Sequence, residues 1–193
     1  ATQFNLVSGT EVIVVRLKLA GEHNVKNALA AAASCLSMGI TLKQIKQGLE
    51  ELQSVTGRLQ PLVGEFGNLI IDDTYNANPS SLKVALDVLK QCKGEPWVVF
   101  GALGEMGSES IKIHEQMGEL IKSMNVVRLL TIGSDAESTS SFFGRGANFF
   151  SSQQQLIEVL KQELTGSETV LIKGSRAQKM ENVVAALVTD FRK

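Results

Sequence analysis

Three short polar segments hold most of the side chains able to do chemistry. Asp72-Asp73-Thr74-Tyr75-Asn76-Ala77-Asn78 places two carboxylates after the apolar run Leu69 to Ile71, followed by amides and a phenol. A carboxylate there can accept hydrogen bonds from a ribose diol or hold a cation, and an Asx-type turn into a capped helix accounts for the same residues without a ligand. Lys173-Gly174-Ser175-Arg176 follows Thr169 to Ile172 and sets two cations and a small pair before a helical period. Free backbone N–H groups at such a helix start favour an anion, and a solvated cap is the bland alternative. Gly101-Ala102-Leu103-Gly104-Glu105-Met106-Gly107 misses the dinucleotide fingerprint by one position and has no partner acid, so it reads as a bare turn.

Other chemistry is thinly represented. No Gly-Lys dipeptide occurs, hence no Walker phosphate loop, and there is neither a Gly-x-Ser-x-Gly elbow nor a Cys/His pair within a motif. Cys35 and Cys92 lie far apart without a second Cys or a His at metal-ligand spacing, so neither a zinc site nor a disulfide framework is expected. His114, in IKIHEQMGELI, reads as a solvent-facing helix residue, and His23 as a cap residue making local backbone bonds.

The elements that must position these groups follow from periodicity. Phe4 to Leu19 alternates around Ser8-Gly9-Thr10, with Val12, Val14, Leu17 and Leu19 as the apolar set, and reads as a strand pair. A lone hairpin is marginal, so it resembles the tail of a larger domain. Asn24 to Met38 is Ala- and Leu-rich, as a buried helix would be. Thr41-Leu42-Lys43-Gln44 is a capping box opening a second helix with Leu42, Ile45, Leu49 and Leu52 on one side.

From about residue 58 onward the texture becomes that of parallel βαβ units. Runs at Leu69 to Ile71, Trp97 to Phe100, Val126 to Ile132 and Thr169 to Ile172 alternate with helical periods at 80–92, 109–124, 152–164 and 178–189. Asn78-Pro79 is a helix start, and Ser108 and Ser151 are candidate caps for later helices. The fold class is therefore α/β: a Rossmann-like, mostly parallel sheet over 59–193, preceded over 1–58 by a hairpin and a helical pair.

With 193 residues, 44% of them hydrophobic, the chain can bury a substantial core. Its formal net charge of -1 lacks the basic excess that nucleic acid or an anionic membrane would select, so neither is an expected partner. The longest apolar stretch, Ala28 to Leu36, is half of what a bilayer requires, and the expectation is a cytoplasmic protein.

Taken together, the segments resemble the Mur ligases, the ATP-dependent enzymes that build the peptide of bacterial cell-wall precursors. Gly21-Glu22-His23-Asn24-Val25-Lys26-Asn27 resembles the family's Gly-x-His-Asn-x-x-Asn segment, and Thr56-Gly57-Arg58 its Gly-Arg closing the central domain. Asp72 to Pro79, and Lys173-Gly174-Ser175-Arg176 with Met180-Glu181, are similar to motifs of the branch that adds D-Ala-D-Ala to UDP-MurNAc-tripeptide. The resemblance implies that residues 1–58 end a central P-loop ATPase domain and 59–193 form the C-terminal domain. The phosphate loop, the Mg2+ ligands and the N-terminal and central domains would then lie upstream as missing parts of the same chain, leaving the fragment inactive alone.

Residue by residue, the resemblance assigns Asn27 to adenine, with His23 and Asn24 bordering that pocket. Arg58 goes to the terminal phosphates of ATP, and Asp73 to the ribose with Tyr75, Asn76 and Asn78 nearby. Lys173, Ser175 and Arg176 go to the carboxylate of the dipeptide or to an acyl phosphate, with Asn76 and Asn78 also near the substrate. Arg58 and Lys173 carry the catalytic roles, and a hinge falls at Gly57 to Pro61. A free-standing nucleotide-binding module and a sister amino-acid-adding ligase are the competing readings.

Overall fold

The computed structural model describes residues 2–19 and 21–189, which divide into two compact units, Ala1–Val55 and Thr56–Lys193.

In the first unit, β1 (Thr2–Ser8) and β2 (Glu11–Leu17) pair antiparallel, with Thr2 opposite Leu17 and Ser8 opposite Glu11. Gly9, at φ 60, makes the tight connection that a two-residue hairpin turn requires. Helix α1 (Glu22–Ser37) and helix α2 (Leu42–Glu51) follow. The Thr41 box is present in both directions: its hydroxyl accepts the Gln44 N–H at 3.4 Å, and its own N–H donates to Gln44 Oε1 at 3.1 Å. Leu6, Val15 and Leu17 pack with Ala28, Ala32, Leu42, Ile45 and Leu49 into one small core.

Three sequence expectations are corrected here. Val12 and Val14 are exposed, sharing strand parity with Arg16, while Val15 and Leu17 point inward. Leu52 lies past the end of α2 and is exposed. Only Ala28 and Ala32 of α1 are buried within this unit, so the helix is not buried all round as its composition suggested.

The second unit is a six-stranded sheet of order β3-β4-β8-β5-β6-β7. Its strands are β3 (Gln60–Val63), β4 (Leu69–Asp73), β5 (Glu95–Gly101), β6 (Arg128–Ile132), β7 (Ala147–Phe150) and β8 (Glu168–Lys173). All pairs are parallel except β3 with β4. The helices are α3 (Pro79–Leu89), α4 (Ser110–Ser123), α5 (Ala136–Phe143), α6 (Gln153–Glu163) and α7 (Glu181–Leu187). The edge strands β3 and β7 and helix α5 are additions to the elements expected from sequence. The expected caps Ser108 and Ser151 are replaced: Ser108 lies within a 3-10 turn, Gly107–Glu109, and Ser152 caps α6 by accepting the Gln155 N–H.

Strand alternation splits the core into two layers. Ile71, Val98, Phe100, Leu129 and Leu171 pack against α3, α4 and α5, and Ile70, Val99, Leu130, Val170 and Ile172 against α6 and α7. The consequence for function is topological. Strands β4 and β5 lead into helices on the first face, whereas β8, which lies between them, leads into α7 on the second. Both flanks of β8 are therefore points where adjacent chain exits diverge, the places at which open α/β sheets leave crevices for ligands.

Candidate functional site at the carboxyl end of the central strands

Adjacent residues of a strand face opposite ways, and Asp72 and Asp73 accordingly do different jobs. Asp72 is fully buried. Its Oδ1 accepts the Thr74 N–H at 3.2 Å and the Thr74 hydroxyl at 2.6 Å, while its Oδ2 has no partner among the described residues. Burial raises its pKa above the ordinary carboxylate value, bonds from Thr74 and the Gly57 backbone oppose that rise, and the neighbouring Asp73 charge adds to it. This is the Asx-type turn considered from sequence.

Asp73 meets a cation. Parallel register sets it beside Lys173, whose Nζ donates to Asp73 Oδ2 at 2.5 Å and to the Asn76 carbonyl at 3.0 Å. Asp73 Oδ1 accepts the Leu59 N–H at 3.2 Å. The Lys173 side chain is 1% exposed and that of Asp73 13%, so the pair lies at the bottom of the β4/β8 crevice. A Lys this deeply buried requires its counter-charge. Lys173 thus holds a carboxylate and a loop carbonyl, which corrects the expectation of an open anion-binding lysine.

The loop leaving β4 is held at several points. Asn76 Oδ1 accepts the Ala77 N–H at 2.9 Å. Asn78 caps α3: its Oδ1 accepts the Ser81 N–H and the Ser80 hydroxyl, each at 2.8 Å, with Pro79 at the first helical position. Tyr75 is half exposed, and its ring lies 4.1 Å from the Arg58 guanidinium, a cation–π contact. The Tyr75 N–H donates to the Gly57 carbonyl at 3.0 Å. Gly57 itself sits at φ 75, and a Cβ there would come within 3.1 Å of the Tyr75 nitrogen. Residues 57 to 60 are thereby bonded to β4 and its loop, where sequence suggested a freely swinging hinge.

On the other flank of β8 the chain closes up. Ser175 donates through Oγ at 2.7 Å and through N at 3.3 Å to the Ala102 carbonyl. A Cβ on Gly174 would lie 3.0 Å from Gly101 Cα and 2.6 Å from Met180 Cγ, so the glycine run after β5 is a packing seam, not a bare turn. Arg176 is exposed and pairs with Glu181 at 3.2 Å. The β8 loop enters a three-residue 3-10 turn and then Lys179 at φ 47 before α7 begins. The expected single helix N-terminus over Ser175 and Arg176 is absent from the described residues.

His114 is fully buried, contrary to the solvent-facing expectation. Its Nε2 accepts the Leu103 N–H at 2.9 Å and its Nδ1 lies 2.8 Å from the Ser110 carbonyl. In the first unit, His23 and Asn24 are half-buried at the start of α1, and Asn27 is exposed one turn on from His23, on the same stripe of the helix.

The model for the Mur ligase, glutamate ligase domain matches residues 57–176. The chain belongs to the Mur ligase family. It is 41% identical over 188 residues to the UDP-N-acetylmuramoyl-tripeptide–D-alanyl-D-alanine ligase of Escherichia coli K12, covering 96% of this chain and 41% of that protein. A crystal structure of MurF from Acinetobacter baumannii superposes with a TM-score of 0.85 at 35% identity, covering 95% of this chain and 41% of that one. MurF from Thermotoga maritima, solved in complex with ADP, gives a TM-score of 0.79 at 25% identity, over 91% of this chain and 40% of that one. This Mur ligase sequence thus spans about two fifths of the length of these relatives. Its mostly parallel six-stranded sheet is that of their C-terminal domain. No helix among the described residues is long and apolar enough to cross a membrane.

Proposed function

We propose that the chain is the carboxyl-terminal part of a cytoplasmic, ATP-dependent ligase that joins D-Ala-D-Ala to UDP-MurNAc-tripeptide, and that it is inactive without its upstream domains. The observation that carries the reading is the Asp73–Lys173 pair at the foot of the β4/β8 crevice, inside the matched domain. The site fits an adenosine ribose. Each Asp73 oxygen uses one lone pair on a protein donor and keeps a second for a hydroxyl, and the side chain retains an exposed edge.

Asp73 then receives the ribose diol, and Lys173 fixes the rotamer of that carboxylate and the loop that carries Tyr75 and Asn76. Arg58 is the phosphate ligand: a planar, permanently charged fork suits phosphoryl oxygens, and its stacking on Tyr75 limits the freedom it loses on binding. Asn27 offers the paired donor and acceptor that match an adenine edge, with His23 and Asn24 beside it on α1. Ser175 Oγ is engaged with Ala102, so its part toward the dipeptide is to shape the loop, leaving exposed Arg176 as the group free to meet a carboxylate. Asn78 acts by starting α3.

ATP, with Mg2+ held by upstream residues, supplies the phosphoryl group that activates the terminal carboxylate of the tripeptide as an acyl phosphate. What this chain contributes is orientation and charge placement, the main sources of rate in such a transfer. The test is ligation of D-Ala-D-Ala to UDP-MurNAc-tripeptide by the full-length reading frame and by this chain alone. Turnover by the former and none by the latter is expected. Turnover by the isolated chain would overturn the assignment of the chemistry to upstream domains, and preference for another amine would overturn the substrate.

A further inference from the structure

Helix α4 carries a buried imidazole with no evident need for one. An apolar side chain would fill the space beside Phe100, whose ring centroid lies 6.2 Å from that of His114. What an apolar side chain cannot do is accept a hydrogen bond, and Leu103, 5% exposed, has a backbone N–H that must find an acceptor. Its acceptor is His114 Nε2 at 2.9 Å. An accepting Nε2 carries no proton, so Nδ1 carries it, and the Ser110 carbonyl 2.8 Å away is placed to receive that proton. The ring is therefore the neutral Nδ1–H tautomer.

The helix that bears it is tied down as well. The Ser110 hydroxyl donates to Asp135 Oδ2 at 2.5 Å, and the Thr139 hydroxyl to the His114 carbonyl at 3.0 Å.

The captured N–H belongs to the loop leaving β5 on the closed side of β8. Ala102 is fixed through its N–H to the Ile132 carbonyl at 2.8 Å and through its carbonyl to Ser175. With Leu103 fixed next, the following residues have little freedom, and among them Glu105 adopts φ 61, a left-handed conformation that a non-glycine residue holds only when its surroundings impose it. Glu105 is exposed, and Gly104 before it would bring a Cβ within 3.4 Å of the Ser175 Cβ, at the crevice. An incoming amino component is a zwitterion, and its ammonium needs a carboxylate near the point of attack.

Resting on the ligase reading above, we infer that Glu105 is the carboxylate that receives the ammonium of the amino component, and that His114 is the positioning residue that holds Glu105 there through Leu103. The nucleotide side of the site, at Asp73, is separate from this pair.

The test uses the full-length reading frame containing this chain, with ATP and D-Ala-D-Ala varied in turn. H114F keeps the ring shape and removes the acceptor, H114Q restores an acceptor, and E105Q removes the charge. H114F and E105Q are each expected to raise KM for the dipeptide by about tenfold or more, the scale of one lost buried or charge-assisted bond. KM for ATP stays within about twofold, and H114Q returns the dipeptide KM toward wild type. An unchanged dipeptide KM in folded H114F or in E105Q overturns the proposal, as does a parallel rise in both KM values. Nitrogen-15 NMR of the wild-type imidazole reads the tautomer without any variant: a pyridine-like Nε2 is expected, and a protonated Nε2 overturns it. If the wild-type protein ligates a different amine, the substrate reading fails while the same KM comparison, run on that amine, still decides this one.

Discussion

The two flanks of β8 are equivalent in topology and opposite in chemistry. Toward β4, Asp73 and Lys173 line a polar crevice whose groups keep hydrogen-bonding capacity for a ligand. Toward β5, Gly101 and Gly174 bring two backbones into contact, and the Ser175 hydroxyl seals the seam against Ala102. A diverging pair of strand exits thus creates the opportunity for a crevice, and the side chains at the strand ends decide whether it opens or closes. The difference lies in a single register row, since Asp73 pairs with Lys173 on one side while Lys173 meets Phe100 on the other, with Gly101 just beyond.

The comparison is broken most severely by Lys173→Met. Removing the cation leaves the Asp73 charge without its partner, and breaking a buried pair in this way costs about 3–5 kcal/mol, read as a lowered midpoint of chemical denaturation. A loss below about 1 kcal/mol would mean that solvent, not Lys173, balances Asp73.

On the closed flank, Gly174→Ala forces a methyl to within 2.6 Å of Met180 Cγ and 3.0 Å of Gly101 Cα. Overpacking of this kind costs about 1–3 kcal/mol. The same measurement reads it, and a neutral result would show the seam to be loose.

Asp72 sharpens the contrast through pH. Its folded pKa is raised, so the folded state holds this proton more tightly than the unfolded chain does, and the resulting stability is fully present below the unfolded value and is lost as pH rises through the folded one. Asp72→Asn keeps an acceptor for Thr74 and removes the titration. Wild-type stability is expected to fall relative to the variant as pH rises through that range, and parallel curves would contradict the shift. The smallest effect belongs to Arg176→Ala: its ion pair with Glu181 is open to solvent, and stability should move by less than about 1 kcal/mol.

Much of this was legible in the residues. The apolar runs of β4, β5, β6 and β8 and the Asn78-Pro79 helix start appear as expected, because buried parallel strands read as continuous hydrophobic runs and caps have a fixed chemistry. The edge strands were not, since Gln60–Val63 carries a proline and Ala147–Phe150 is only four residues long with no fully buried member. Helix α5, AESTSSFF, is rich in residues of weak helix propensity.

The site was half legible. Polar loops after strands marked its edges, but the pairing of Asp73 with Lys173 spans 100 residues and depends on β8 inserting between β4 and β5. His114 did leave a signal. It shares a stripe with Met117, Gly118 and Ile121, all buried, at the i, i+3, i+4, i+7 spacing of a core-facing helix, while the exposed Ile111 drew the reading to the wrong face.

The account stands on Asp73 as the ribose ligand, and a crystal structure of the full-length protein with a non-hydrolysable ATP analogue tests this directly. The prediction is a ribose hydroxyl within about 3.2 Å of an Asp73 carboxylate oxygen, with the Lys173 bond still in place. A nucleotide bound with its ribose out of reach of Asp73 would contradict it.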